Sequence, residues 1–312
     1  MGGGTWNRDY FEQRQTTRAA KGQDAFVYHR QMQNAEASER RCHPAMDLRL
    51  KPLRESRDSA EHPESLAITV LFDQTGSMGT VPRILQQNLN KLMSALVRNG
   101  VRDPQVMIGA IGDGGMNEIA PVQIGEWESD IRIDDSLGQL FLESMGGGNG
   151  HESYELGLYA MARHTGMDCW EKRQHKGYLF IIGDELPYEN VSRRTVKEYI
   201  GDKLEGDIRL EAIVDEVQKR FETYFLMPTG LGSYDSNFYR HVERRWSELF
   251  GTERMFKLTD PSCVSERIAE SVSLLEKAKR EGMTTESGGA SDVEGAESTD
   301  RPRRRSRITR LS

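Results

Sequence analysis

Long apolar runs are missing from this sequence. No apolar stretch approaches the roughly 20 residues needed to cross a bilayer, so a membrane-spanning protein is not expected. The N-terminal segment MGGGTWNRDYFEQRQ has no apolar core of the kind found in secretory signals. Trp6 stands where the myristoylation pattern requires Ser or Thr. We therefore expect no membrane partner.

The sequence also has few cysteines and no excess of positive charge. The three cysteines, Cys42, Cys169 and Cys263, are far apart and odd in number, which indicates reduced, mostly buried thiols and a cytoplasmic location. The net charge of −7 does not favour binding to nucleic acid. A weak contact through the arginine-rich RPRRRSR at 301–307 is conceivable, but a solvated tail is the simpler interpretation.

Motifs for nucleotide and zinc chemistry are missing as well. The sequence has no GxxxxGK[ST] loop, so a phosphate-binding loop for nucleotide hydrolysis is not supported. His151 and Glu152 begin like the zinc motif HExxH, but Glu155 stands where the second histidine is needed. One imidazole on that face does not make a zinc hydrolase site.

The composition divides the 312 residues into three regions. Residues 1–65 form a charged N-terminal extension that packs partly on the core, with RESRDSAEHPES at 54–65 as a polar linker. Residues 66–282 alternate between apolar and amphipathic segments and form the main domain. Residues 283–312 are polar and are expected to be a disordered tail.

Within the main domain, short apolar runs alternate with segments of helical periodicity. LAITVLF at 66–72 is nearly continuous in apolar residues, as in a strand that is buried on both faces. This alternation predicts a Rossmann-like, doubly wound α/β fold with a mostly parallel sheet and helices on both faces. Further strands are expected at 104–113, 121–129, 177–185, 223–228 and 254–259, of which 121–129 is a candidate antiparallel edge strand, and helices at 81–100, 134–145, 152–165, 192–200, 208–220, 237–251 and 264–281.

Acidic and hydroxyl side chains follow the predicted strands. Because the carboxyl ends of parallel strands share one edge of the sheet, these side chains are expected to lie close together. Their hard oxygen atoms fit Mg²⁺, or else Mn²⁺ or Ca²⁺, better than zinc. The predicted set is Asp73, Thr75, Ser77, Asp113, Asn149, Glu152 and Asp184. Within it, Asp113 is either a turn former or indirect support for the site, and Glu152 could simply be a first-turn glutamate of the following helix.

The stretch DQTGS at 73–77 resembles the metal-ion-dependent adhesion site of von Willebrand factor A domains. The resemblance covers about residues 66–280, and it includes the glycine-rich loop before a helix at 146–157 and the strand that ends in Gly183-Asp184. The stretch is also similar to bacterial and phage proteins that contain this domain.

The resemblance implies a role for each matching residue. Asp73 would hold a metal ion directly or through water, Thr75 and Ser77 would ligate through their hydroxyls, and Asp184 would supply a second carboxylate. The family places a Thr in the glycine-rich loop, where this sequence has GGGNGHES. Asn149 or Glu152 would take its place.

The function implied is reversible binding of a protein partner. Neutral hydroxyl ligands leave part of the cation's charge uncompensated, so an Asp or Glu of the partner can displace a water and complete the shell. The resemblance suggests a non-catalytic adaptor in a larger complex, with an AAA+ ATPase complex among the expected partners.

Two other functions are consistent with the same residues. DQTGS and GDGGMNE at 112–118 resemble motifs of haloacid dehalogenase-like phosphohydrolases, in which Asp73 would be the nucleophile. However, Gln74 replaces a lysine and Thr75 replaces a second aspartate of that chemistry. The third hypothesis is a scaffold protein with a vestigial metal site, because the glycine-rich loop lacks the usual threonine.

Overall fold

The computed structural model describes residues 4–78, 80–143, 149–229 and 235–282, with Ser77 described by its backbone alone. The helices in these ranges are α1 (Arg8–Ala20), α2 (Val27–Asn34), α3 (Val81–Gln87), α4 (Leu89–Arg98), α5 (Arg132–Gly138), α6 (Tyr154–Arg163), α7 (Asp168–Arg173), α8 (Arg193–Tyr199), α9 (Leu210–Arg220), α10 (Ser236–Phe250) and α11 (Val264–Arg280). The strands are β1 (Arg54–Ser56), β2 (Leu66–Asp73), β3 (Pro104–Ile111), β4 (Val122–Ile124), β5 (His151–Glu152), β6 (Thr165–Met167), β7 (Gly177–Ile182), β8 (Leu186–Pro187), β9 (Asn190–Val191), β10 (Ile208–Arg209), β11 (Phe221–Pro228) and β12 (Met255–Leu258).

Six of these strands form one sheet in the order β12-β11-β7-β2-β3-β4. Neighbouring strands are parallel except for β4, which runs antiparallel to β3 at one edge. The chain therefore has the predicted Rossmann-like α/β fold, and the antiparallel edge strand expected within 121–129 is confirmed.

The chain winds outward from β2 in both directions. The connection from β2 to β3 through α3 and α4 moves toward one edge, and the connections from β7 through α9 and α10 move toward the other. Right-handed crossovers in opposite directions place their helices on opposite faces of the sheet. Helix α11 packs on α4, and α6 packs on α9, so both faces are covered.

The central strands are buried along their whole length. All eight residues of β2 and of β3 are buried, and so are all six of β7. A parallel strand covered on both faces needs a continuous apolar sequence, which LAITVLF supplies. The carboxylate of Asp73 at the end of β2 has no such packing role.

The N-terminal region is more closely integrated than its composition suggests. Phe11 and Phe26 are buried in the main core. Residues 54–65, expected to be a polar linker, contain β1, which pairs in parallel with β6. Arg54 is fully buried because its guanidinium donates to the carbonyls of Ile124, Lys51 and Ala45. Backbone acceptors thus give this charged segment a structural position.

Two predicted helices differ in length from the observed ones. The helix expected over 81–100 is divided at Asn88, which lies between α3 and α4. Asparagine is a poor helix former, which fits a break at this point. The helix expected over 134–145 is observed as α5, which ends at Gly138. Residues 144–148 lie outside the described part of the chain.

The sequence also led to predictions about the cysteines, membrane-spanning helices and the C-terminal tail. Cys42 and Cys169 are buried and Cys263 is exposed, and all three are free thiols, as predicted. Within the described ranges, no helix has the length and apolarity required to cross a membrane. The tail predicted at 283–312 lies outside the described residues.

Candidate functional site

Two aspartates meet at the carboxyl edge because β2 and β7 are neighbouring strands. Phe72 pairs with Ile182, so Asp73 lies level with Gly183, and Asp184 follows one residue later. Both carboxylates are fully buried. The structure therefore places these two predicted site residues together, at the edge that the strand pattern indicated.

Both oxygens of Asp73 accept hydrogen bonds. The backbone N–H of Thr75 donates to Oδ1 over 2.7 Å, and the Thr75 hydroxyl donates to the same oxygen over 2.6 Å. The hydroxyl of Tyr154 donates to Oδ2 over 2.8 Å. Ser77 follows in a short 3-10 helix, Gly76–Met78, and its side chain lies outside the described part of the structure. The turn after β2 thus holds a carboxylate and a hydroxyl in direct contact.

Tyr154 reaches Asp73 because residue 183 is a glycine. A Cβ at Gly183 would lie 2.0 Å from the Tyr154 hydroxyl oxygen, so any larger residue there would displace the ring. The ring also packs edge-on against Trp246 and Phe225 at centroid distances of 5.3 and 6.1 Å. Burial and the surrounding negative charge raise the pKa of Tyr154 well above its ordinary value, so it remains a neutral donor.

Glu152 enters the site from the loop between α5 and α6. Its strand, β5, pairs in parallel with β8, and Glu152 lies opposite Pro187. The residue is therefore not in the first turn of α6, which begins at Tyr154. Its side chain is fully buried, and neither carboxylate oxygen has a hydrogen-bond partner. Such a buried, unpaired acidic group is costly unless something compensates its charge.

Burial, and after it mutual repulsion, disfavours the charged form of the carboxylates at this site. Burial, followed by the charge of Asp184, raises the pKa of Asp73 to about 8. Burial, followed by the charges of Asp73 and Glu185, raises the pKa of Glu152 to about 12. Both shifts have the direction expected when like charges are gathered in a low-dielectric environment. A cation at this edge would relieve the repulsion.

Asp113 and Asn149 form a separate hydrogen-bonded unit beside these carboxylates. Asp113 Oδ1 accepts from the backbone N–H of Gly115 and from the Tyr188 hydroxyl, both over 2.8 Å. Its Oδ2 accepts from the Asn149 side chain over 2.8 Å. The side-chain oxygen of Asn149 accepts from the backbone N–H of His151. Asp113 therefore caps its turn and anchors the 149–153 loop, and Asn149 is engaged in the same unit.

Several residues at this edge of the sheet were not predicted from the sequence as part of the site. Tyr154 looked like an ordinary residue of α6, since its contact with Asp73 spans 81 positions. Glu185 directly follows Asp184 and is also buried. Gln74 donates to Glu118 over 3.1 Å, beneath the same edge. One signal was available for Gly183, because a glycine directly before a strand-end aspartate often marks a close approach of another group.

A divalent metal ion fits the chemistry of these side chains. Asp73, Asp184 and the unpartnered oxygens of Glu152 are hard donors of the kind that Mg²⁺, Mn²⁺ and Ca²⁺ prefer. Among the described residues, no three His, Cys, Asp or Glu side chains form a metal-binding group by themselves. The Thr75 hydroxyl, which contacts Asp73, is a further oxygen donor at this edge.

Comparison with known proteins gave structural matches only. No family model matches the chain, and no curated protein does. A pilus adhesin, SpaC from Lactobacillus rhamnosus GG, is similar over 70% of this chain and 32% of its own, with 8% identity and a TM-score of 0.48. The chain therefore spans about a third of that adhesin's length.

Two further solved structures are similar to this chain with comparable identities and TM-scores. The vWF domain of the pilus tip protein Mfa5 from Porphyromonas gingivalis matches 73% of this chain and 99% of its own, with 9% identity and a TM-score of 0.43. Proximal thread matrix protein 1 from the mussel byssus, with a zinc-occupied MIDAS motif, matches 68% of this chain and 48% of its own, with 11% identity and a TM-score of 0.42. The fold assignment here rests on the sheet order and not on these matches.

Proposed function

We propose that this chain is a metal-dependent protein-interaction module of the von Willebrand factor A type. Asp73, Thr75, Ser77 and Asp184 would hold a divalent cation, with Mg²⁺ as the first choice and Mn²⁺ or Ca²⁺ as substitutes. Glu152 is the preferred ligand from the glycine-rich loop, since the Asn149 side chain is already engaged with Asp113 and His151. The bound ion would recognise an Asp or Glu side chain of a protein partner.

One observation carries the proposal: buried carboxylates converge at the carboxyl edge, next to a hydroxyl-bearing turn. Asp73, Glu152, Asp184 and Glu185 are each at most 1% exposed. Burying several like charges together is strongly unfavourable in the absence of an opposite charge. A cation would supply that charge, and a cation with a ligand position open to exchange is a binding site for an external carboxylate.

The phosphohydrolase hypothesis has less support. The turn after Asp73 lacks two groups of that chemistry, because Gln74 and Thr75 stand where a lysine and a second aspartate are needed. The aspartate of the GDGGMNE segment, Asp113, caps a turn and accepts from Tyr188. We therefore propose binding rather than catalysis. An AAA+ ATPase complex remains a partner to test.

The test combines metal binding with partner capture. Isothermal calorimetry with Mg²⁺ should detect binding to the wild-type protein, and Asp73→Ala should abolish it while circular dichroism shows an intact fold. Asp215→Ala, which removes an exposed aspartate of α9, is the matched control and should bind like wild type. Equal affinity of wild type and Asp73→Ala for Mg²⁺ would disprove the metal site.

Partner capture is then measured by pull-down with and without a chelator. A protein that is retained by the wild type, released by chelator and not retained by Asp73→Ala would support the proposal. Retention that is indifferent to both the chelator and the substitution would favour the scaffold hypothesis. In that case the acidic cluster would have no role in recognition.

A further inference from the structure

A cavity of about 520 Å³ lies at the amino edge of the sheet, opposite the edge that carries Asp73. It is bounded by the segment that precedes β2, by the start of β3 and by the end of α4. Its apolar lining consists of Trp6, Met93, Val97, Val101 and Pro104. Cavities of this size and lining commonly take small organic molecules.

The apolar wall of the cavity is held in place by the fold. Met93 and Val101 are buried members of the hydrophobic core. The Trp6 ring is fixed because its indole N–H donates to the Asn90 side chain over 3.1 Å. Val97 is different, because 57% of its surface is exposed. A ligand that covers Val97 and the indole would therefore remove apolar surface from water without reorganising the wall.

Three polar groups of the cavity are engaged in holding the N-terminal segment. Nε2 of His62 donates to the carbonyl oxygen of Gly4 over 2.6 Å, and the Ser129 hydroxyl donates to the same oxygen over 3.0 Å. The Glu61 carboxylate accepts from the backbone N–H of Gly4. These groups close one end of the cavity, so they are not the groups that would select a ligand.

The other charged groups that line the cavity differ in whether they have a partner. Arg8 forms an ion pair with Glu12 over 2.8 Å. The Asp103 carboxylate accepts from the backbone N–H of Glu64 over 3.0 Å. Arg98 is exposed and forms no hydrogen bond or ion pair with any residue that the structure describes. The cavity therefore combines an apolar wall with one unpaired positive charge.

We infer that this cavity binds a small monoanion with an apolar chain, such as an aliphatic carboxylate. The chain lies against Trp6 and Met93, and the carboxylate pairs with the guanidinium of Arg98. A neutral molecule of the same shape leaves Arg98 unpaired, and a cation is repelled by it. The inference does not depend on the proposed function, because the cavity shares no residue with the candidate metal site.

Three ligands with the same chain and different head groups test the charge selection. Octanoate, octanol and octylammonium are titrated into the full chain below their micelle concentrations and followed by isothermal calorimetry. Octanoate should bind about threefold to fivefold more tightly than octanol, which is the size of one exposed ion pair, and octylammonium should bind most weakly. Arg98→Gln should remove the advantage of octanoate and leave the affinity for octanol unchanged. Arg244→Gln, at an exposed arginine of α10, is the matched control and should match wild type.

Two further variants test the location of the ligand. Ser94 lines the cavity on α4, and Ser94→Phe should lower the affinity for octanoate and octanol alike by about tenfold, because the ring fills the space of the chain. Trp6 supplies an independent readout that does not depend on whether Ser94→Phe folds. Octanoate should change the tryptophan emission of wild type, and Trp6→Phe should lose that change.

The results that would overturn the inference are specific. Equal affinities of wild type for octanoate and octanol, or an octanoate affinity that Arg98→Gln leaves unchanged, would exclude selection by this charge. An absence of octanoate binding would exclude the site. Binding that leaves the Trp6 emission unchanged would place the ligand elsewhere on the molecule and would also overturn the inference.

Discussion

Gly183 offers the sharpest test of how the site is assembled, through the substitution Gly183→Ala. The added Cβ would lie 2.0 Å from the Tyr154 hydroxyl oxygen and 2.7 Å from Cζ of the same ring. The backbone at Gly183 is not in the left-handed region, so alanine meets no conformational penalty there. The effect of the substitution is therefore purely a clash with Tyr154.

The size of the effect follows from two contributions. Overpacking a buried ring costs about 1–3 kcal/mol. Separating the Tyr154 hydroxyl from Asp73 Oδ2 costs about 1–3 kcal/mol more, because a buried acceptor loses its donor. We expect the free energy of unfolding to fall by about 4 kcal/mol and Tm to fall by about 10 °C, given about 2–4 °C per kcal/mol in a domain of this size.

Urea denaturation followed by tryptophan fluorescence measures the change, with Gly206→Ala as the control because a Cβ there meets nothing within 4 Å. Tyr154→Phe removes the atom nearest the new methyl group. The double variant should therefore be less destabilised than the sum of the two single variants. A Gly183→Ala protein within about 0.5 kcal/mol of wild type, or strict additivity in the double variant, would refute this account of the site.

Two further predictions concern the N-terminal region. Arg54→Met should lower the free energy of unfolding by about 3–5 kcal/mol, because it removes the ion partner of Glu126 and strips donors from buried carbonyls such as that of Ile124. A urea midpoint close to wild type would contradict this. Burial opposes ionisation of Asp24, but hydrogen bonds from Arg83 outweigh it and lower the pKa of Asp24 to about 2. The contribution of Asp24 to the free energy of unfolding is therefore complete above about pH 4, the ordinary pKa of an aspartate. It is lost as the pH falls toward 2. Asp24→Asn should be less stable than wild type at pH 7, and urea midpoints that do not converge on acidification would exclude this linkage.

The strand pattern was sufficient to predict the sheet and the edge at which the acidic residues meet. Apolar runs such as 66–72 alternate with helical segments, which indicates parallel strands covered on both faces, so their carboxyl ends were expected at one edge. That reasoning located Asp73 and Asp184 correctly relative to each other. The antiparallel direction of β4 was predicted from the shortness of its apolar run and from the turn before it.

Non-local contacts could not be predicted in this way. Glu152 belongs to a two-residue strand whose partner lies 35 positions away, and no periodicity exists over two residues. Arg54 sits in a highly charged stretch, yet it is buried because three carbonyls from separate segments surround its guanidinium. Local composition does not predict the buried environment of such a side chain, because distant parts of the chain form that environment.

Both margins of the six-stranded sheet are poor templates for adding another strand. The outer side of β4 is occupied by the N-terminal segment, since Ile124 donates to the Met46 carbonyl and accepts from Arg54. The opposite margin, β12, offers four residues and carries Lys257, whose ammonium is paired with Glu243. Short edge strands that are covered by another segment or carry a charged side chain discourage edge-to-edge aggregation. Copies of this chain should therefore not polymerise by extending their sheets, even at high concentration.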